Sequence, residues 1–380
     1  MNRSKKLPPQ RAAMLAACAV LGLLLNACGG GGASSNPSPP VPVPVPPNDT
    51  ERWVIAPAAE VGMDGAMLGR AVSELPAPAA HGMASMLVLR HGKPVLEQYW
   101  NGYNKDTLHD LRSATKSITS LLVGIAIDQR LVGSVDDPIS KYLGAAYPGA
   151  PALKQGITLA NVLTMSSGLA CDDRDASSPG NEDKMYPTTD WVGFFVNLPQ
   201  RAAPGGDGHY CTAGAVALGR VVAEASKQSI PAFASAGLFN PLGITQARWA
   251  DFDNHRQTDT GGHLQLRPRD LAKLGQLVLQ RGVWEGKQVV SADWIARATG
   301  KQALIDNGWK YGYLWWLHYE QVGGKQVTMS FAWGNGGQMI FIIPEADLVV
   351  VVTGENYNSD KADRPFDILR NYVLPAIQKP

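Results

Sequence analysis

Strand-like segments lie near both ends of the region that can fold, and helix-like segments lie between them. Residues 86–100 have the composition of a β-hairpin, and residues 337–343 and 348–353 form two further strand-like runs. Residues 213–226 and 271–279 have the spacing of apolar side chains that is typical of helices. This order predicts an α/β (α+β) sheet domain that is interrupted by a helical insertion.

The only Ser-x-x-Lys of the chain, Ser113-Ala114-Thr115-Lys116, opens an apolar run that continues to Ile127. On a helix, residues three apart share a face, so the hydroxyl of Ser113 and the amine of Lys116 would be neighbours. A serine needs an adjacent base to act as a nucleophile, and a lysine can be that base if burial or a nearby cation lowers its pKa. Surface helices also contain such pairs, so the motif alone leaves both interpretations open.

The N-terminus has the pattern of an export signal. Basic residues precede an apolar stretch, 12–25, that ends in Leu25-Asn26-Ala27-Cys28. This end resembles the bacterial lipobox, in which the cysteine is lipidated; an ordinary signal peptide with a chance cysteine is the alternative. We predict a lipoprotein signal peptide over 1–27, a lipidated Cys28 with a Gly/Pro-rich tether over 28–50, and a folded domain over 51–380.

An exported domain of this kind would lie in the bacterial cell envelope, anchored by lipid on the periplasmic side, at the outer membrane. Of the four cysteines, Cys171 and Cys211 remain for the folded domain. An oxidising compartment and an even count favour a disulfide between them over two buried free thiols. Lysine plus arginine number 34 and aspartate plus glutamate 33, so no basic surface predicts a nucleic-acid partner.

A set of motifs in a fixed order resembles the serine β-lactamase and penicillin-binding-protein superfamily, and within it the class C-like hydrolases that include esterases and 6-aminohexanoate-oligomer hydrolases. The matching stretches cover most of the mature chain, and they are residues 112–117, 163–169, 204–205, 210–212, 260–262, 269–275, 311–316 and 332–338. The resemblance implies a β-lactamase/transpeptidase-like fold, with an antiparallel sheet flanked by helices and an inserted helical subdomain. It implies a serine hydrolase without a metal or an organic cofactor.

The resemblance also assigns roles. Ser113 matches the acylated nucleophile, and Lys116 matches its base partner. Tyr210 falls on the second-motif tyrosine, which shuttles the proton with the lysine and protonates the leaving group. The third motif falls on residues 332–334, and the backbone N–H of Asn335, with that of Ser113, would form the oxyanion hole.

Two departures from the family pattern bear on the substrate. The asparagine of the family's Tyr-x-Asn is Thr212 here, which offers a hydroxyl in place of an amide. The lysine of the third motif is absent, and Trp333 and Gly334 would line the substrate instead. A wall without that cation suits an ester or an uncharged amide better than a penicillin. Alternatives are a D,D-peptidase, a D-aminopeptidase or a β-lactamase, and a ligand-binding module without catalysis.

Residues 171–189 show no clear period and predict a long loop over the site. Within it, Asp172, Asp173 and Asp175 could resemble a metal cluster, but we interpret them as solvated loop residues. His209 could tune Tyr210 or lie at the surface. The sequence therefore predicts no metal site. The predicted substrate is a small-molecule ester or amide, and the predicted membrane contact is through the lipid anchor only.

Overall fold

The computed structural model describes residues 53–75, 78–252, 257–306 and 308–378. The predicted signal peptide over 1–27, Cys28 and the tether over 28–50 lie outside the described residues, and their assignments stay predictions. Within the described ranges, no helix combines the length and the apolar character needed to cross a membrane.

The described strands include a large antiparallel sheet and three short two-stranded pairs. In chain order the strands are β1 Met83–Arg90, β2 Lys93–Tyr99, β3 His109–Asp110, β4 Asp251–Phe252, β5 Gln257–Thr258, β6 Gln265–Leu266, β7 Val283–Trp284, β8 Lys287–Gln288, β9 Ala303–Ile305, β10 Trp309–Tyr311, β11 Trp316–Val322, β12 Lys325–Gly334, β13 Gln338–Ile343 and β14 Leu348–Gly354. The large sheet has the order β2-β1-β14-β13-β12-β11-β10-β9, with every neighbouring pair antiparallel.

The described helices lie mostly between β2 and β9, with two before β1 and one after β14. They are α1 Gly65–Ser73, α2 Pro78–His81, α3 Thr115–Asp128, α4 Ser140–Leu143, α5 Leu159–Leu163, α6 Glu182–Met185, α7 Trp191–Val196, α8 Thr212–Ser226, α9 Ile230–Ala234, α10 Pro268–Leu279, α11 Ala292–Thr299 and α12 Arg364–Ile368. Short 3₁₀ turns cover Ala58–Val61, Arg112–Ala114, Pro151–Lys154, Asn240–Leu242, Pro344–Ala346 and Asp360–Asp363, and π turns cover Ser235–Phe239 and Leu369–Val373.

The central strands are covered on both faces, which explains their continuous apolar sequence. Every residue of β1, β13 and β14 is buried. On one face α10 comes so close that a Cβ added at Gly275 would lie 2.6 Å from Val349. On the other face, the ring of Phe366 packs edge-on against Phe341, with centroids 5.1 Å apart. The predicted sheet with its inserted helices is therefore confirmed.

Helix α3 is the element that joins the sheet to the helical region. Its residues from Thr115 to Ala126 are all buried, and it packs against α8 on one side and β12 on the other. A Cβ at Gly124 would lie 2.3 Å from the Trp294 ring, so this close approach to α11 requires glycine. Because α3 begins two residues after Ser113, this packing fixes the serine turn at the junction of sheet and helices.

Candidate active site

Ser113 lies in the 3₁₀ turn Arg112–Ala114 that leads into α3, and it is half-buried. The residue before it, Arg112, has a φ of 48°, in the left-handed region. For a residue other than glycine this conformation costs on the order of 1–2 kcal/mol. The N–H of Arg112 donates to Oδ1 of Asp110 over 2.9 Å, which stabilises the turn. Ser113 thus follows a strained residue that surrounding contacts hold in place.

Lys116 is 1% exposed and points back to the serine. Its Nζ lies 3.1 Å from the Ser113 Oγ and donates to the Gly261 carbonyl over 2.6 Å. The same Nζ lies 4.9 Å from the centroid of the Tyr210 ring. One ammonium or amine group therefore touches the hydroxyl of Ser113 and faces the ring of Tyr210.

The pKa of Lys116 is raised, whereas a lysine that acts as a base at neutral pH requires a lowered pKa. Burial alone would lower the pKa of its amine, but Tyr210 and three carboxyl groups outweigh burial and raise that pKa above its ordinary value. Those carboxyl groups belong to Glu182, Asp173 and Asp259. The sequence left this pKa open, because it did not show that two acids of the 171–189 loop and Asp259 surround the lysine.

Tyr210 precedes α8 and is held on several sides. Its ring stacks on Trp316 with centroids 5.4 Å apart, and its N–H donates to the Asp306 Oδ1 over 3.2 Å. The guanidinium of Arg174 lies 5.6 Å from the centroid of the Tyr210 ring and pairs with Asp306. Burial raises the pKa of the Tyr210 phenol, while the charge of Lys116 and a hydrogen bond with Ser113 oppose that shift.

The structure joins Cys171 and Cys211 in a disulfide, the pairing that the sequence favoured, with Cα atoms 5.5 Å apart. The bond ties the 171–189 loop to the residue after Tyr210. The Asp173 N–H adds a hydrogen bond of 2.8 Å to the Tyr210 carbonyl. The loop and the tyrosine therefore form one connected unit beside Ser113.

Asp173 was interpreted as a solvated loop residue, but its side chain is partly buried and hydrogen-bonded. Asp175 is exposed, as expected. Asp173 Oδ2 accepts the Thr212 N–H over 2.6 Å, and its Oδ1 accepts the Glu182 N–H over 2.9 Å. Burial and the nearby Glu182 carboxylate raise the pKa of Asp173 to about 8. An acid in the middle of the predicted loop is thus part of the lysine's surroundings.

The predicted substrate contact at Thr212 does not fit this geometry. Thr212 is 0% exposed, and its hydroxyl donates to the Glu182 Oε2 over 2.7 Å. Its side chain therefore orients Glu182 instead of facing a substrate. The sequence could not show this, because Glu182 reaches Thr212 from α6, within a segment that had been interpreted as loop.

The third motif lies beside the serine turn. A Cβ on Gly334 would lie 2.1 Å from the Leu111 carbonyl oxygen, so only glycine allows β12 to approach this closely. Trp333 is 5% exposed and packs against Trp316, with ring centroids 5.3 Å apart. The side chain of Asn335 exchanges two hydrogen bonds with Asn358, at 2.7 and 2.9 Å. The oxyanion role of the Asn335 N–H stays a prediction.

A buried carboxyl group supports the carbonyl that Lys116 contacts. Asp259 is 0% exposed, and its Oδ1 accepts the N–H groups of Gly261 and Gly262 over 3.0 and 2.8 Å. The Tyr186 hydroxyl donates to its Oδ2 over 3.2 Å. Burial raises the pKa of Asp259. The sequence showed the Gly261-Gly262 pair but not its purpose, which is to turn a carbonyl toward the lysine.

One set of potential metal donors occurs within the described ranges. Ligand atoms of Asp172, His209 and Asp306 lie within 4.8 Å of one another. His209 Nδ1 is 3.2 Å from the Asp172 Oδ2, and Arg174 already pairs with Asp306. The positive charge of that guanidinium opposes a metal cation, so these residues act as an ion-pair cluster beside Tyr210.

Comparisons with known proteins agree with this arrangement. A family model described as Beta-lactamase matches residues 68–371. A 6-aminohexanoate-dimer hydrolase of Paenarthrobacter ureafaciens is 26% identical over 304 residues, which cover 70% of this chain and 71% of that protein.

Two solved structures share the fold at low identity. EstCE1, a hydrolase with promiscuous acyltransferase activity, has a TM-score of 0.65 and 17% identity, over 82% of this chain and 98% of its own. A penicillin binding protein from Bacillus halodurans has a TM-score of 0.60 and 16% identity, over 77% of this chain and 98% of its own. The family match spans most of the chain, and the structure places a serine, a lysine and a tyrosine together at the matching positions. The chain belongs to the Beta-lactamase family, and it is a serine hydrolase of the type that cleaves amide or ester bonds.

Proposed function

We propose that the protein is a cell-envelope hydrolase that cleaves a small ester or an uncharged amide through an acyl-enzyme on Ser113. The observation that carries this proposal is the contact of Lys116 Nζ with the Ser113 Oγ, at 3.1 Å, beside the Tyr210 ring. A serine becomes a competent nucleophile when a neighbouring group takes its proton.

The proposed reaction has two halves. In the first, the Ser113 Oγ attacks the substrate carbonyl, and its proton passes into the Lys116–Tyr210 pair. The same pair returns a proton to the leaving alcohol or amine as its bond to the carbonyl carbon breaks. In the second half, water attacks the acyl carbon and gives a proton to the pair. The pair passes a proton to the Ser113 Oγ as its bond to the acyl carbon breaks, which releases the acid and the free serine. The N–H groups of Ser113 and Asn335 would stabilise the negative oxygen in both halves.

The residues around the site favour a substrate that presents no carboxylate to the third motif, residues 332–334. That motif has no lysine, and Trp333 stands in it, packed against Trp316 and Trp309. The similarity to a 6-aminohexanoate-dimer hydrolase adds linear amides to the candidate substrates. A D-aminopeptidase or D,D-peptidase is the second candidate, because the fold is shared with penicillin-binding proteins.

A substrate panel tests this proposal. It contains short-chain p-nitrophenyl esters, linear aminohexanoate dimers, D-amino-acid amides and a chromogenic cephalosporin. We expect the best ester or amide to exceed the cephalosporin by at least about tenfold in kcat/KM, which corresponds to about 1.4 kcal/mol of transition-state binding. A cephalosporin as the best substrate would show that the missing lysine does not govern specificity.

The envelope location rests on Cys28 and the residues before it. An alkynyl fatty acid fed to cells should label the wild-type protein and should not label Cys28→Ser. Equal labelling of the two would reject the lipid anchor and leave the hydrolase proposal unaffected.

A further inference from the structure

One extended segment, residues 260–266, runs beside the segment that carries Ser113 and Lys116. The hydrogen bonds that join the two are those of Thr119 Oγ1 to the Thr260 carbonyl, Lys116 Nζ to the Gly261 carbonyl, Leu111 N–H to the Leu264 carbonyl and Leu264 N–H to the Thr115 Oγ1. Strands β3 and β6 extend the same contact by pairing. The turn before the helix and the first turns of α3 are therefore held from outside by residues 260–266.

Two residues with left-handed backbones face each other across this contact. Arg112, directly before Ser113, has a φ of 48°, and His263 has a φ of 59°. Residues other than glycine remain in this region only where surrounding contacts over-determine it. A residue that links both positions would therefore control the direction in which the chain enters Ser113.

Asp110 is that link. Its Oδ1 accepts the Arg112 N–H over 2.9 Å, and its Oδ2 lies 2.9 Å from the His263 Nδ1 and 3.1 Å from the Arg112 Nε. Burial would raise the pKa of this carboxyl, but His263 and Arg112 outweigh burial and lower it. Asp110 is thus ionised at neutral pH and can accept from both sides.

We propose that Asp110 is a positioning residue for the nucleophile: its carboxylate holds the backbone of Arg112 in the left-handed conformation, ties it to His263, and so directs the Ser113 side chain toward Lys116. This inference rests on the proposed acyl-enzyme role of Ser113. Asp110 itself touches neither Ser113 Oγ nor Lys116 Nζ in the hydrogen bonds described above.

Loss of the Asp110 carboxylate has a defined consequence. Arg112 would relax toward a negative φ, and the peptide that enters Ser113 would rotate. A displacement of the reacting atom by about 1 Å can cost about 100-fold in rate. We expect kcat and the rate of acylation to fall, while KM changes little because Asp110 acts on the reaction through the backbone of Arg112.

A double-mutant cycle tests the inference in the full chain. The variants are Asp110→Ala, Asp110→Asn, Arg112→Gly and the double variant Asp110→Ala/Arg112→Gly, with exposed Asp136→Ala as the matched control. Readouts are kcat and KM for a p-nitrophenyl ester, the rate of fluorophosphonate labelling per labelled molecule, and Tm. Counting only labelled molecules removes any unfolded fraction from the comparison.

We expect Asp110→Ala to lower kcat and the labelling rate by about 100-fold, with KM within about threefold. Asp110→Asn keeps an oxygen that accepts the Arg112 N–H, so its kcat and labelling rate should stay within about fivefold of the wild-type values. Because glycine adopts a positive φ without strain, the effect of Asp110→Ala should shrink to about fivefold or less in the Arg112→Gly background.

Two outcomes would overturn the inference: a kcat for Asp110→Ala within about threefold of wild type, or an effect of Asp110→Ala that is equally large with Arg112 and with glycine at that position. If Ser113→Ala is inactive, either result rejects only the positioning role of Asp110 and leaves the proposed function in place. An active Ser113→Ala would reject the proposed function itself.

Discussion

The Ser113 side and the Tyr210 side of the site are built in different ways. Ser113 and Lys116 lie on consecutive turns of chain, so local helix geometry brings their side chains to 3.1 Å. Tyr210 comes far later and reaches the serine only through distant contacts: the Cys171–Cys211 disulfide, the Asp306 carboxylate and the Trp316 ring. Helix α3 sets the spacing of the serine–lysine pair, which residues 260–266 then hold, whereas Tyr210 depends on tertiary contacts alone. Loss of the disulfide should therefore affect Tyr210 before it affects the serine–lysine pair.

Removal of each proton-transfer group gives the largest expected effects. Lys116→Met should lower kcat by about 10³-fold, because the Nζ of Lys116 contacts the serine hydroxyl directly.

Tyr210→Phe keeps the ring stacked on Trp316 and loses only the hydroxyl, so we expect kcat to fall by about 10²-fold. The measurement is kcat for the best substrate of the panel, with exposed Lys154→Met as the control for a lost lysine. A kcat within tenfold of wild type in either variant would remove that residue from the proposed mechanism.

The disulfide provides a way to disturb the Tyr210 side alone. Cys171→Ser opens a bridge with a sequence separation of 40 residues, and the chain-entropy model gives about 3–4 kcal/mol for a loop of that length. We expect Tm to fall by several degrees and kcat to fall by about tenfold, because Tyr210 loses a restraint. The measurements are thermal unfolding and ester hydrolysis.

Reduction by dithiothreitol is the control for this prediction. It should change the wild type in the same direction as Cys171→Ser, and it should leave the double variant Cys171→Ser/Cys211→Ser unchanged. An unaltered kcat in a variant with a lowered Tm would mean that the disulfide stabilises the fold without positioning Tyr210.

The two sides also differ in how far the sequence could predict them. The strands and helices of the sheet domain, and the neighbourhood of Ser113 and Lys116, follow from local periodicity and spacing. The place of Tyr210 came from resemblance to a family, because nothing local connects it to Ser113. The raised pKa of Lys116 could not be foreseen, since its acidic neighbours Asp173, Glu182 and Asp259 lie far from it in the sequence. Thr212 was assigned to the substrate because it stands at the asparagine of the family's Tyr-x-Asn, and its partner Glu182 lay in a stretch without a clear period.

The acidic surroundings of Lys116 predict the smallest effect, a shift in pH dependence. A base acts in its unprotonated form, and the pKa of Lys116 is raised, so kcat/KM should increase with pH through neutrality. Above about pH 8 the carboxyl of Asp173 is ionised, and its negative charge favours the ammonium of Lys116. Asp173→Asn removes that charge, so the pKa of Lys116 should fall. The rising limb should then move to lower pH by about 1 unit.

Asp175→Asn, on the exposed part of the same loop, is the matched control and should leave the profile in place. The full pH profile of kcat/KM for an ester is the measurement. A rising limb that stays fixed in Asp173→Asn, or that moves to higher pH, would contradict the assignment of Lys116 as a base under the influence of that carboxyl group.

The identity of the acylated residue tests the central claim most directly. Wild-type protein and Ser113→Ala are treated with a fluorophosphonate, digested and analysed by mass spectrometry, and turnover of the best substrate is measured in parallel. The account predicts one adduct on the peptide that contains Ser113, and neither labelling nor turnover in Ser113→Ala. An adduct on another residue, or turnover that survives in Ser113→Ala, would contradict it.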